Sequence, residues 1–347
     1  MLIKLTYLHF VIIAAFFSGY FIETDVSNRG IVVLTQIAVG IIAMLYFITN
    51  FKYSRRWLAL CITLFLLLIL NGSGYGSVAL ISLNLVLVEI FRKSLININI
   101  DRFFNYKFLF MSIYFLLLVA FIDFLYGFQY LWSHDSKFLF INRLKLFTSE
   151  PSYLAMLIVP LIFITNSIKN KIAMHSILLL TQSYLGYVFL GVIYFLSKKS
   201  NYVFIYIAGI SIFLYLLTID FRDFFSNSGF VRLVGVTLFT NGDVNIVGLL
   251  LGNGVGAGDD ILQPSFSKLG IDQANGFIFS ALYDMGLIGL FLFVYILGSN
   301  KFEYLVTLFL LLNFGAGNFL LVVILFLSKI VYYKSNFLAS YSNKNAH

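Results

Sequence analysis

Long apolar runs follow one another along this chain, separated by short polar or charged intervals. A helix rises 1.5 Å per residue, so about 20 apolar residues cross the hydrocarbon of a bilayer. On that measure the pattern predicts helical spans at about 5–22, 30–50, 57–71, 77–91, 108–127 and 150–167, then at 202–218 and 277–297. The runs are continuous rather than alternating, which is not the signature of a membrane β-barrel. The expected fold is therefore an all-α polytopic membrane protein, with 1–347 forming a single transmembrane domain.

Two runs are too long for one crossing and too short for two full ones. The first, Ile172 to Ser197, has the polar sequence TQSYLG at its middle. One crossing would carry Lys198 and Lys199 to the outside. Two short helices broken near Thr181–Gly186 would return them to the side that holds the other loop cations. The second, about 304–331, is interrupted by NFGAGN at 313–318 and poses the same choice for Lys329 and Lys334. Cations in short loops favour the cytoplasmic side, so both runs are read as hairpins. The total is about twelve segments with both ends cytoplasmic. A broken membrane helix is tolerated only where protein or a cavity satisfies the freed backbone, so the first hairpin is expected to line a cavity.

The same bias sets the sides. Lys52, Arg55 and Arg56, then Arg92, Lys93, Arg102 and Lys107, then Lys169 and Lys171, mark inside loops. The intervals 128–149 and 219–275 fall outside, as a shorter and a large periplasmic loop. The first contains Tyr130 and Trp132, which fit an aromatic belt at the interface. It also contains Arg143 and Lys145, which break the bias and call for a reason.

Composition agrees with the pattern. Of the residues, 61% are hydrophobic and 11% charged, against about 25% charged in soluble domains; the mean hydropathy is +0.95. The cations behind the net charge of +8 sit mostly in short loops, which is no sign of nucleic-acid binding. Cys61 is the single cysteine, so no thiol cluster exists. His9, His134, His175 and His347 are scattered and suggest no metal site. The first run lacks a small-x-small cleavage site and more spans follow it, so it is read as a membrane helix. The turn NGSGYG at 71–76 is too short to cradle a phosphate.

The chemistry concentrates at Arg143–Ser152, RLKLFTSEPS. Pro151 suits the first turn of a helix and Ser149 an N-cap, with Glu150 complementing the positive helix end. An arginine, a lysine and a glutamate would then meet at the mouth of a membrane helix. The plainer reading of these residues is a helix cap with interfacial cations. Arg232 is a second external arginine. Guanidinium forks bind phosphate oxygens in pairs, so two of them beside a membrane suit a lipid-linked diphosphate. The glycine run at 252–258 could turn N–H groups toward an anion, although it is not a P-loop; most glycine clusters are turns. Charges inside the spans are few, Asp123 and Glu89 being the exceptions.

These motifs resemble the O-antigen polymerase (Wzy) family, within the wider polymerase and ligase group. The resemblance covers the whole chain in topology and three places in motif: Arg143 with FTSEPSYLA at 147–155, SGFVRLVG at 228–235, and LLGNGVGAG followed by NGFIFSALYDMGLIGL at 275–290. Gly248 follows Arg232 at sixteen positions, as in some members. In the related ligases a histidine stands eleven residues before the GLIG element; here that position is Asn275, which favours a polymerase and leaves the base unassigned.

The resemblance implies an inner-membrane glycosyltransferase acting at the periplasmic face. It would move a growing glycan from undecaprenyl diphosphate to the nonreducing end of a lipid-linked repeat unit, without metal, cofactor or nucleotide sugar. Arg143, Lys145 and Arg232 would hold the diphosphate. Glu150 is the first choice of base and Asp272 the second. Tyr153, Asn275, Gly254 and Gly256 would contact substrate. The expected partners are the undecaprenyl-diphosphate-linked oligosaccharide, membrane lipid and a chain-length regulator. Three alternatives stay open: a ligase acting on lipid A-core, a lipid-linked oligosaccharide flippase, and a membrane acyltransferase. A flippase would carry charge deep in its spans, and an acyltransferase a histidine with an acidic partner.

Overall fold

A computed structural model of the chain describes residues 106–128, 130–133, 142–146, 151–196, 246–255, 257, 258, 261, 277–311 and 319–344, with helical residues at 59, 62, 63, 78, 81, 82 and 84–89. These residues are mostly helical. The helices are α1 (Tyr106–Leu125), α2 (Pro151–Ile164), α3 (Ile168–Thr181), α4 (Tyr184–Leu196), α5 (Ile246–Leu251), α6 (Phe277–Leu297), α7 (Lys301–Leu311) and α8 (Phe319–Lys344). One stretch, Ile278–Leu297 of α6, is long and apolar enough to cross a membrane. The spans expected before residue 57 and at 202–218, and the turns at 71–76 and 313–318, lie outside the described residues.

By its contacts the chain falls into two compact units. One draws on Met1–Val39, Lys93–Thr218 and Phe326–His347, the other on Gly40–Arg92 and Ile219–Leu325.

The first unit is built around α2. This helix is apolar all round apart from Ser152, and 13 of its 14 residues are buried, as a helix without a polar face must be. Both α3 and α4 pack on it. Gly186 makes the closest approach: a methyl there would stand 2.5 Å from Ala155 Cβ and 2.8 Å from Leu178 Cδ1. Near the other end of α4, the Tyr194 ring lies 6.4 Å from that of Phe163. The early residues of α4 thus meet the early residues of α2, and the late ones the late ones, so the two run in the same direction. The intervening α3 runs back between them. At one end of this group, Tyr114 Oη of α1 donates to Asn170 Oδ1 at 2.8 Å. At the other end α1 closes on a left-handed Gly127, φ 73°, whose N–H bonds Phe124 O.

The segment after α1 is not irregular throughout, as an all-α fold implied. Trp132–Ser133 (β1) and Arg143–Leu144 (β2) pair antiparallel, Trp132 opposite Leu144 and Ser133 opposite Arg143. Leu131 O accepts the N–H groups of both Lys145 and Leu146. Asp123 accepts the Leu131 N–H at 2.9 Å, and Trp132 Nε1 donates to Ala120 O at 3.0 Å. The small ladder is thereby fastened to the end of α1.

In the second unit α6 packs against both α5 and α7. The sequence predicted α6 as one uninterrupted span. Its ends agree, but Gly286 sits at φ 66°, ψ 179°, and breaks the helix in its middle. Asn300 caps the start of α7: its Oδ1 accepts the Glu303 N–H at 3.0 Å, and its Nδ2 donates to Glu303 Oε1 at 3.1 Å, tying the two side chains together. At the last run the chain is helical on both sides of the NFGAGN interval, and α8 continues to Lys344 rather than ending near 331.

Candidate functional site

Arg143 belongs to β2, and its position follows from the elements around it. The ladder with β1 fixes its backbone, and burial of Leu144 and Leu146, which follow it, holds the strand down. The side chain is itself buried, 8% exposed. Its Nε donates to Thr181 O at 3.0 Å. Thr181 is the last residue of α3, so this carbonyl is among those a helix end leaves without an internal partner. The arginine closes the break between α3 and α4.

The rest of the break is satisfied locally. Gln182 caps α3 in the left-handed region at φ 48°, its N–H bonding Leu179 O. Ser183 caps α4, its Oγ accepting the Gly186 N–H at 3.3 Å. The two connecting residues thus each finish one helix. Thr181, Gln182 and Ser183 are all buried, and the Thr181 hydroxyl bonds Leu178 O. The break lies inside the window that the polar TQSYLG sequence marked. With Asp123, Trp132, Arg143, Ser152 and Tyr153, these residues form a cluster of buried polar groups at one end of the α2–α4 helices. Lys169 and Lys171, expected in a loop, lie instead in the first turn of α3 at the opposite end.

In the second unit the glycine loop meets the break in α6. Asn253 N donates to Tyr283 O at 2.9 Å and Gly254 N to Asp284 O at 3.1 Å. Asn253 Nδ2 adds a second bond to Tyr283 O at 3.2 Å. Gly258 N donates to Asp284 Oδ1 at 2.8 Å. A side chain at Gly252, φ 92°, would run into the Asp284 and Met285 backbone. The N–H groups of Asn253, Gly254 and Gly258 are therefore engaged by α6 rather than arrayed for a bound anion. This run is a docking element for a broken helix.

The expected site residues divide accordingly. Arg143, Lys145 and Tyr153 lie in the first unit; Lys145 is half-buried beside the ladder, and Tyr153 is buried in the first turn of α2. Gly254 lies in the second unit, against Asp284. Glu150, Arg232, Asp272, Asn275 and Gly256 fall outside the described residues. Pro151 takes the first helical position of α2, as the sequence suggested, and Glu150 directly precedes it.

Two expectations are corrected. Trp132 is not a belt residue facing outward: it is 7% exposed and bonded to Ala120, whereas Tyr130 is exposed. The helices also carry more buried charge than Asp123 and Glu89. Asp284, Glu303 and Lys329 are buried as well. Lys329 lies within α8 rather than in an anchoring loop.

Sequence reasoning missed the Thr181 carbonyl as the partner of Arg143, because a backbone acceptor leaves no mark in residue type. It also missed Asp284. The signal was available there: an acid two residues before a glycine within an apolar run. No protein-family model, curated protein or solved structure matches the chain.

Proposed function

We propose that this chain is a bacterial inner-membrane glycosyltransferase of the O-antigen polymerase kind, with about twelve membrane segments and a site facing the periplasm. In this reading 128–149 and 219–275 are the outer loops. The bond between the anomeric carbon and the diphosphate oxygen breaks as the nonreducing-end hydroxyl of a lipid-linked repeat unit attacks. The hydroxyl proton passes to a carboxylate, Glu150 by first choice and Asp272 by second. The electron pair leaves with undecaprenyl diphosphate, whose charge Arg143, Lys145 and Arg232 offset.

The observation that carries the reading is the fixed position of Arg143. It is buried, its Nε is committed to Thr181 O, and it lies at the end of the unit where α2 begins, directly after Glu150. A cation held before the substrate arrives stabilises developing charge without reorganising. The guanidinium keeps its full charge while Nε donates to Thr181 O, and in this reading it is that charge which offsets the diphosphate. The direction of the helices agrees with the charge bias. Lys169 and Lys171, in the first turn of α3, lie at the end of that helix away from Thr181 and Arg143, in keeping with cations on the inner side.

The test is direct. Purified protein in lipid nanodiscs is given a lipid-linked repeat unit in the presence of EDTA. A ladder of extended lipid-linked products is expected. Unextended substrate, with protein that remains monodisperse, overturns the reading.

One observation favours a second reading, a transporter of lipid-linked oligosaccharide. Asp284 is a buried acid at the break of α6, and discontinuous helices with intramembrane charge are a transport signature. Movement of labelled lipid-linked repeat units across reconstituted vesicles, without a ladder, would select it.

A further inference from the structure

We infer that the outward face of α1 and the aromatic row that follows it meet lipid, with the head-group boundary at Tyr126–Tyr130, level with Arg143. The inference rests on the membrane reading above and adds the side and depth from which a lipid-linked substrate approaches.

Met111, Phe115, Leu118, Ile122 and Leu125 recur at intervals of three and four residues and so share one face of α1; all five are exposed. The opposite face buries Phe110, Ile113, Ala120 and Asp123 in the first unit. A helix that is apolar toward its own unit and apolar away from it needs a non-aqueous neighbour on the second side. The stripe holds no charged or hydrogen-bonding side chain, which suits acyl chains.

The character of the face then changes. Past Leu125 come Tyr126, Phe128 and Tyr130, exposed and arranged as a row. Tyr126 and Phe128 lie 6.2 Å apart with planes at 14°, and Phe128 and Tyr130 lie 6.0 Å apart with planes at 20°. Tyrosine pairs an apolar ring with a polar tip and collects where hydrocarbon gives way to head groups. The row leads straight into Leu131 and β1, and β1 pairs with the strand that carries Arg143. A diphosphate anchored in the outer leaflet lies at that same depth. It would reach Arg143 laterally, past the end of α1, without leaving the membrane boundary.

The experiment uses the full chain in phosphatidylcholine–phosphatidylglycerol vesicles containing a few per cent of nitroxide-labelled lipid. In a Cys61→Ser background, Phe128→Cys and Leu118→Cys each carry a fluorophore. Along α1 from Leu118 to Leu125 the depth changes by roughly 10 Å at the helical rise. Phe128→Cys should be quenched at least twofold more by a nitroxide at the head group than by one deep in the acyl chain. Leu118→Cys should show the reverse order. Tyr130→Cys repeats the shallow measurement at a second exposed site, in case the Phe128 variant is poorly folded. Equal quenching from both depths overturns the inference. So does fluorescence that lipid nitroxides leave untouched, whether the label proves open to an aqueous quencher or covered by a second protein. The readout needs no activity. A depth gradient without a product ladder would sink the enzyme reading alone, and a ladder with a flat profile would sink this inference alone.

Discussion

Two helix breaks lie at the heart of the two units, and they are held by opposite means. Between α3 and α4 the freed carbonyl of Thr181 takes a charged side chain, Arg143, delivered from a distant strand. In α6 the carbonyls of Tyr283 and Asp284 take backbone N–H groups from the glycine loop. A charge-assisted bond adds about 1.5–3 kcal/mol, and a neutral backbone bond about 0.5–1.5 kcal/mol. In the first break one charged side chain adds to two local caps, Gln182 and Ser183, whereas the second relies on backbone bonds and on the absence of side chains. The arginine brings charge to its break. The glycines bring close approach.

That contrast yields its largest effect at Gly286. Its φ of 66° with ψ 179° suits glycine alone, and a β-carbon would meet the Gly252 and Leu250 backbone. Strain of this kind costs about 1–3 kcal/mol before any clash is added. Gly286→Ala should show a sharp loss of monodisperse protein on size-exclusion after heating; a melting temperature unchanged from wild type would mean that the glycine loop does not seat on α6.

Next in size is Arg143→Ala. It leaves a buried carbonyl without its donor, at a cost of about 1–3 kcal/mol. Arg143→Lys should recover part of that stability, since an ammonium can also donate to Thr181 O, yet it lacks the planar fork. Equal melting of both variants and wild type would remove Arg143 from the break.

Asp284 sharpens the other side of the comparison. Asp284→Asn keeps an oxygen for the Gly258 N–H and should fall within about 1 kcal/mol of wild type. Asp284→Ala should fall further and should raise amide exchange at 252–258. Exchange that stays at the wild-type rate in the alanine variant would show that the loop is held by its other bonds alone.

The smallest effect comes from two glycines of one helix. Gly191 has open space around it, so Gly191→Ala should stabilise α4 by up to about 1 kcal/mol. Gly186→Ala meets Ala155 and should destabilise, and Ala155→Gly should restore part of the loss. Matching melting shifts for Gly186→Ala and Gly191→Ala would contradict the packing of α4 on α2.

The sequence was most informative where polarity interrupts an apolar run. TQSYLG stands out among leucines and isoleucines, so the break at Gln182 could be placed to within a few residues. The Pro151 helix start was readable from its helix-start residues. Gly286 was not, because glycine is common in apolar runs and its φ depends on what docks against it. The docking segment is about thirty residues away in sequence, beyond any local pattern. The glycine loop left two readings open, a turn and an anion nest, for a related reason. Its composition marks close backbone approach, but an anion and a broken helix ask for the same residues. Arg143 was picked out by its charge against the topological bias, while its acceptor, a carbonyl, has no residue type. Trp132 shows the limit of composition, since an interfacial residue type can equally well be buried with its N–H bonded.

The most direct test of the central claim compares Arg143→Ala and Arg143→Lys with wild type in nanodiscs, using a lipid-linked repeat unit and following single turnovers. The account predicts that both variants lose on the order of a hundredfold or more in extension rate, the size expected when a transition-state donor is removed, although the lysine variant remains the better folded. A folded Arg143→Ala protein that extends the repeat unit at the wild-type rate would contradict it, leaving Arg143 as a clasp for the α3–α4 break and nothing more.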